Sequence, residues 1–153
     1  MTRDEIITLL DGRDPLAAAR NTPRPTEVGW LRGPGDPDGV VIVRYGAGVT
    51  SEEVADRLLD IARSPSPVRT VHLVPSDDSP TRPGSWGTED LLVVAVARRV
   101  LPDAAIRPDW DALGGPACQV AVAFGANEWL IPEGDPADPE HMARAVGARA
   151  VAR

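Results

Sequence analysis

From residue 40 onward, short β-branched runs alternate with amphipathic helical patterns. That alternation restricts the fold more than any other feature of the chain. "VVIVRY" (40–45), "VRTVHLV" (68–74) and "NEWLI" (127–131) read as strands, and "AIRPDW" (105–110) as a strand or extended segment limited by Pro108. Between them, "TSEEVADRLLDIAR" (50–63) carries a Thr50/Glu53 capping box and places Val54, Leu58 and Ile61 on one face. "TEDLLVVAVARRVL" (88–101) is apolar nearly all round. Its length, acidic start and Arg98-Arg99 end favour a buried helix. "GPACQVAVAFG" (115–125) predicts a small-residue helix stopped at Gly125. "DPEHMARAVGARAVAR" (138–153) predicts a final helix with Asp138 as cap and Pro139 in its first turn. Strands alternating with helices imply a parallel sheet with right-handed crossovers. An eight-fold barrel needs about 250 residues. The expected fold is therefore α/β: half of a (βα)8 barrel, or an open parallel sheet of four to five strands with flanking helices.

Three regions are expected. Residues 1–20 form a helical lead, with a helix over 2–10 capped by Thr2 and a stub at 14–20 capped by Asp14. Residues 21–39, "NTPRPTEVGWLRGPGDPDG", are rich in Pro, Gly and Asp and read as a linker that Trp30 and Leu31 pin to the body. Residues 40–153 form a partial βα-barrel domain. A long loop is expected over 75–87.

Composition excludes several chemistries. The net charge is −7, against a nucleic-acid backbone or an acidic membrane surface as partner. All 16 basic residues are arginine. Without lysine there is no Schiff-base chemistry and no P-loop lysine. Cys118 is the only cysteine, so no thiolate cluster for zinc or iron–sulfur can be assembled. No apolar run reaches the roughly 18 residues of a membrane helix, and "MTRDEIITLL" lacks a signal-peptide pattern. The expected location is the cytoplasm.

The stretch "TEDLLVVAVARRVLPDAAIRPDWDALGGPACQVAVAFGANEW" resembles the late barrel region of the radical SAM enzymes of the futalosine route to menaquinone. These are aminofutalosine synthase and cyclic dehypoxanthinylfutalosine synthase, with FO synthase as a relative. The residues that carry the likeness are Asp90, Ala95, Ala97, Arg98, Leu101, Trp110, Gly114, Gln119, Gly125, Ala126 and Asn127. "VVIVRYGAGVTSEEVADRLLDIAR" is similar to the mid-barrel "MMYGHVET" strand and helix, and "VRTVHLVP" to the strand after it. "MTRDEIITLLDGRDPLAAA" resembles the opening helices. The departures are as specific. No CxxxCxxC loop is present. The "GHVET" position reads Gly46-Ala47-Gly48-Val49-Thr50, "GANDFGGT" reads "GANEWLIP", and the terminal basic segment is absent. The resemblance implies a barrel half without the cluster, hence no iron–sulfur cofactor, no electron source for reductive cleavage and no expected use of S-adenosylmethionine.

In parallel α/β folds ligands gather at the carboxyl edge of the strands. Tyr45, Asp109, Asn127 and Glu128 fall at strand ends or turns there, and His72 lies within a strand. These five are the candidate ligand contacts, and the resemblance makes Asn127-Glu128 a remnant of the family's ligand pocket. Each also has a plain alternative: a turn asparagine, a solvated carboxylate, a strand histidine. Asp77-Asp78 reads as loop chemistry, His141 as a surface residue and Cys118 as buried core. The glycines at 46–48 and 114–115 could cradle an anion.

Three functions fit. The first is a non-catalytic radical-SAM-like protein that binds a partner or a small molecule, with a link to menaquinone biosynthesis implied by the resemblance. The second is an enzyme with new, cluster-independent chemistry at the carboxyl edge. The third is a remnant that serves association only. Exposed edge strands lead to the expectation of a homodimer, or of a complex with a full-length radical SAM homologue.

Overall fold

The computed structural model describes residues 1–35, 38–66, 68–76 and 87–153. The chain opens with helices α1 (Arg3–Gly12) and α2 (Pro15–Ala19), then strands β1 (Glu27–Arg32) and β2 (Val40–Tyr45). Helix α3 (Ser51–Ala62), strand β3 (Thr70–Pro75), helix α4 (Thr88–Val100) and strand β4 (Ala105–Pro108) follow. Short helices α5 (Trp110–Leu113) and α6 (Gly115–Ala121) and a 3-10 turn (Val122–Phe124) lead into β5 (Glu128–Ile131), α7 (Pro139–Ala145) and β6 (Arg149–Ala152). The α/β class is as expected. No described helix is long and apolar enough to cross a membrane.

The helix starts follow the sequence signals. Thr2, Thr50, Asp14 and Asp138 each accept backbone N–H bonds as N-caps, each cap contributing about 1 kcal/mol. Asp90 reaches back to the Gly87 N–H at 2.8 Å and closes the start of α4.

Two expectations are corrected. The segment 21–39 is not only a linker, because residues 27–32 form β1 at the centre of a sheet. Val28 and Trp30 alternate with Gly29 and Leu31, a strand pattern hidden between Pro25 and Gly33-Pro34-Gly35. The helix expected over 138–153 ends at Ala145. Gly147 takes φ +76° and turns the chain back, and 149–152 form β6. Among the described residues the strands therefore number six rather than four or five. The added strands pair with each other and β5, so the partners of β1 come from the far end of the chain.

The six strands form two open three-stranded parallel sheets, in the orders β2-β3-β4 and β5-β1-β6. Each sheet has its own apolar core. Val43, Val71, Leu73 and Ile106 pack beneath α1, α3 and α4, with Ile6, Leu58 and Val96 fully buried among them. Val28, Trp129 and Ile131 pack with Trp110, Cys118 and Ala143. Trp110 and Trp129 meet edge to face at 6.4 Å, and each indole N–H is satisfied, by Asp135 Oδ2 and by the Cys118 carbonyl.

The sheets meet where β4 passes the turn before β5. Asn127 N–H donates to the Ile106 carbonyl at 3.0 Å, and Asn127 Oδ1 accepts from Ile106 N–H at 2.8 Å. One asparagine thus satisfies both backbone groups of Ile106. The turn that presents Asn127 rests on Gly125, at φ +122°, whose carbonyl accepts from Arg98 Nε at 2.9 Å. A Cβ at Gly125 would sit 2.6 Å from Arg98 Cβ. Gly125→Ala combines a left-handed backbone with that clash, and strain of this kind costs about 1 to 3 kcal/mol before the clash is added. The expected outcome is a loss of at least about 2 kcal/mol in urea unfolding; an unchanged midpoint would contradict the packing described.

Candidate functional site

The strand register aligns a row of residues in each sheet, on the face opposite that sheet's apolar core. Ile42 pairs with His72 and His72 with Arg107 in one sheet, while Glu128 pairs with Gly29 and Gly29 with Val151 in the other. The Arg107–Glu128 ion pair, 3.3 Å between NH1 and Oε1, closes the seam between them. Both partners are buried. Thr70 Oγ1 donates to Glu128 at 3.1 Å. Arg107 Nε donates to His72 Nδ1 at 2.8 Å, and His72 Nε2 faces Asp109 Oδ1 at 3.6 Å.

Three of the five candidate residues, His72, Asp109 and Glu128, are brought into this one chain of contacts. Asn127 lies at its edge, bound to Ile106. Tyr45 is elsewhere: it is buried, and its hydroxyl donates to Asp90 Oδ1 at 2.5 Å. Arg107 and Thr70 were missed by sequence reasoning. Both sit at even spacing with His72 or opposite it on strands already recognised, and the period-2 pattern of "TVH" and "AIRP" carried the signal.

The chemistry of the row is set by arginine. A guanidinium only donates, so His72 Nδ1 holds the lone pair and Nε2 the proton. With Nδ1 engaged and Nε2–H turned to Asp109, the ring offers no free base. Glu128 spends its oxygens on Arg107 and Thr70. Burial pulls the Arg107 guanidinium down from its ordinary value, with the charge of Glu128 opposing that shift. The row is a satisfied polar network.

A cleft of about 600 Å³ lies at the carboxyl end of β2. Tyr45, Gly46 and Val49 line it, together with the end of α1 and the first turns of α3 and α4. Tyr45 is the one candidate residue among its described lining. Asp77 and Asp78 lie outside the described residues. His141 is exposed, and a Cβ at Gly115 would sit 2.9 Å from the Trp110 ring, so that glycine serves packing.

The residues present do not fit an iron–sulfur cluster. Cys118 is fully buried in the second core, and desolvation pushes its thiol well above the usual range, which keeps it protonated. A thiol in that state is a poor ligand.

The Arg107–Glu128 pair generates a prediction. Removing one partner of a buried ion pair costs about 3 to 5 kcal/mol, because the other charge stays buried without its partner. Arg107→Met and Glu128→Gln are each expected to destabilise in that range by urea unfolding, and the double variant by clearly less than their sum. Additive losses would mean that the two side chains do not interact. No protein-family model matches the sequence, and neither a curated protein nor a solved structure matches it.

Proposed function

We propose that the chain is a non-catalytic small-molecule-binding module, a half-barrel of radical-SAM-like descent that has lost its cluster. The observation that carries the binding role is the cleft above Tyr45. Its volume lies in the range of small-molecule sites, it sits at the carboxyl edge of a parallel sheet, and it is separate from the charged row. The absence of a free base in that row supports a role without catalysis. The half-barrel reading is supported by two parallel three-stranded sheets that meet at the β4–β5 seam through Asn127–Ile106 and Arg107–Glu128. The link to the menaquinone enzymes rests on the residues from Asp90 to Asn127 that carry the resemblance.

Val54 is buried at the α3 side of the cleft. A thermal-shift panel of nucleosides and S-adenosylmethionine is expected to contain a ligand that stabilises the protein, and Val54→Trp is expected to abolish that shift. A stabilising ligand indifferent to Val54→Trp would place the site elsewhere and sink the reading.

The module also acts as a dimer in this proposal. The outer edges of β2 and β6 have no strand partner among the described residues. Ile42 on β2 is 46% exposed, and among the described residues its outward carbonyl is capped by Arg57, at 3.3 Å. Such an edge is a template for another chain. Light scattering at micromolar concentration is expected to give twice the monomer mass, and a monodisperse monomer would refute the dimer.

A further inference from the structure

We infer that the cleft takes a zwitterionic small molecule with an apolar body, its anionic end held by Arg13 and its cationic end by Glu89. This deepens the binding role proposed above and rests on it.

The floor of the cleft is apolar: Leu10, Val54, Leu92 and Val93 line it and are buried. Most polar groups around it are already engaged. Tyr45 and the Gly87 N–H both bind Asp90, Ser51 Oγ donates to Asp11 at 2.6 Å, and Thr50 binds Glu53. Among its charged groups, Arg13, at the end of α1, and Glu89, in the first turn of α4, are the exceptions. Both line the cleft, both are exposed, and neither side chain forms a hydrogen bond or ion pair with any described residue. Two opposite charges, at the ends of two different helices and not paired with each other, flank an apolar floor. A neutral ligand would leave both idle and an ion of one sign would use only one. A zwitterion uses both, with a guanidinium fork for a carboxylate and a carboxylate for an ammonium.

Arg13 has a second peculiarity. It ends α1 in the left-handed region, at φ 52°, directly after Gly12, which stays within the helix. Helix ends of this kind favour glycine at the left-handed position. Each charge suits its own helix end, which accounts for its sign. It does not account for an arginine in a conformation that glycine adopts without strain, on the rim of the cleft.

The test uses three probes that share a phenyl body: L-phenylalanine, phenethylamine and hydrocinnamate. Isotope-labelled protein is titrated with each, following the backbone amides of Gly46, Ala47 and Thr88. The expected result is that these amides shift with L-phenylalanine at an affinity at least about tenfold above that of either singly charged probe. Arg13→Gln is expected to bring L-phenylalanine down to the level of phenethylamine, and Glu89→Gln to that of hydrocinnamate. Arg13→Gly should melt higher than the parent and bind the zwitterion more weakly. Equal affinities for the three probes would overturn the charge clamp while leaving the cleft a binding site. Arg13→Gly with a lower melting temperature and unchanged binding would overturn it as well, by assigning Arg13 to the helix alone. No shift at the cleft amides with any of the three would overturn the clamp, and the survival of ligand stabilisation in Val54→Trp would overturn the cleft itself.

Discussion

The two sheets share no full ladder, so the fold depends on the seam between β4 and β5. Two interactions close it. Asn127 supplies a donor and an acceptor to Ile106, and Arg107 pairs with Glu128. Ile106 and both members of the ion pair are buried. An unpaired buried backbone group costs about 1 to 3 kcal/mol, and an unpaired buried charge more. The network extends through Thr70 and His72, so β5 is tied to the sheet of β3 and β4 by side chains where backbone pairing between the sheets is sparse. Arg98 extends the same logic to the next layer. Its Nε and NH1 groups bind the carbonyls of Gly125, Ala104, Pro102 and Leu101, which holds the end of α4 against the turn that presents Asn127.

That structural use of charge bears directly on chemistry. A histidine between an arginine and an aspartate resembles a catalytic arrangement by composition. The donor on Nδ1 removes the base such an arrangement needs. Charges that hold a seam cannot also move protons without loosening it. Arg13 and Glu89 lie away from the seam at the cleft, where freedom from partners among the described residues leaves them available to a ligand.

Legibility differed along the chain for physical reasons. Helices α3 and α4 and strands β2, β3 and β5 announced themselves through local signals: caps, apolar periodicity and β-branched runs. β1 did not. Its six residues carry a glycine and lie between turn formers, and its stability comes from β5 and β6 and from the burial of Val28. β6 was masked by alanine and arginine, which favour helix in isolation. Gly147 was the available stop signal, and the chain after it obeys the free edge of β1. Of the candidate site, His72, Asp109 and Glu128 were legible as chemistry-bearing residues near a strand edge. Arg107 and Thr70 were not, because on a single strand they look like ordinary polar positions.

By itself the sequence determined the α/β class, the single cysteine and the lack of lysine that limit the available side-chain chemistry, and the turn residues Gly125 and Asn127, since these follow from residue type, spacing and backbone conformation. Only the tertiary structure decided that the charged residues pair with one another, that Tyr45 belongs to a separate cleft, and that the two ends of the chain join in one sheet. Those outcomes depend on register between strands distant in sequence, and register is fixed by which buried groups must be satisfied together.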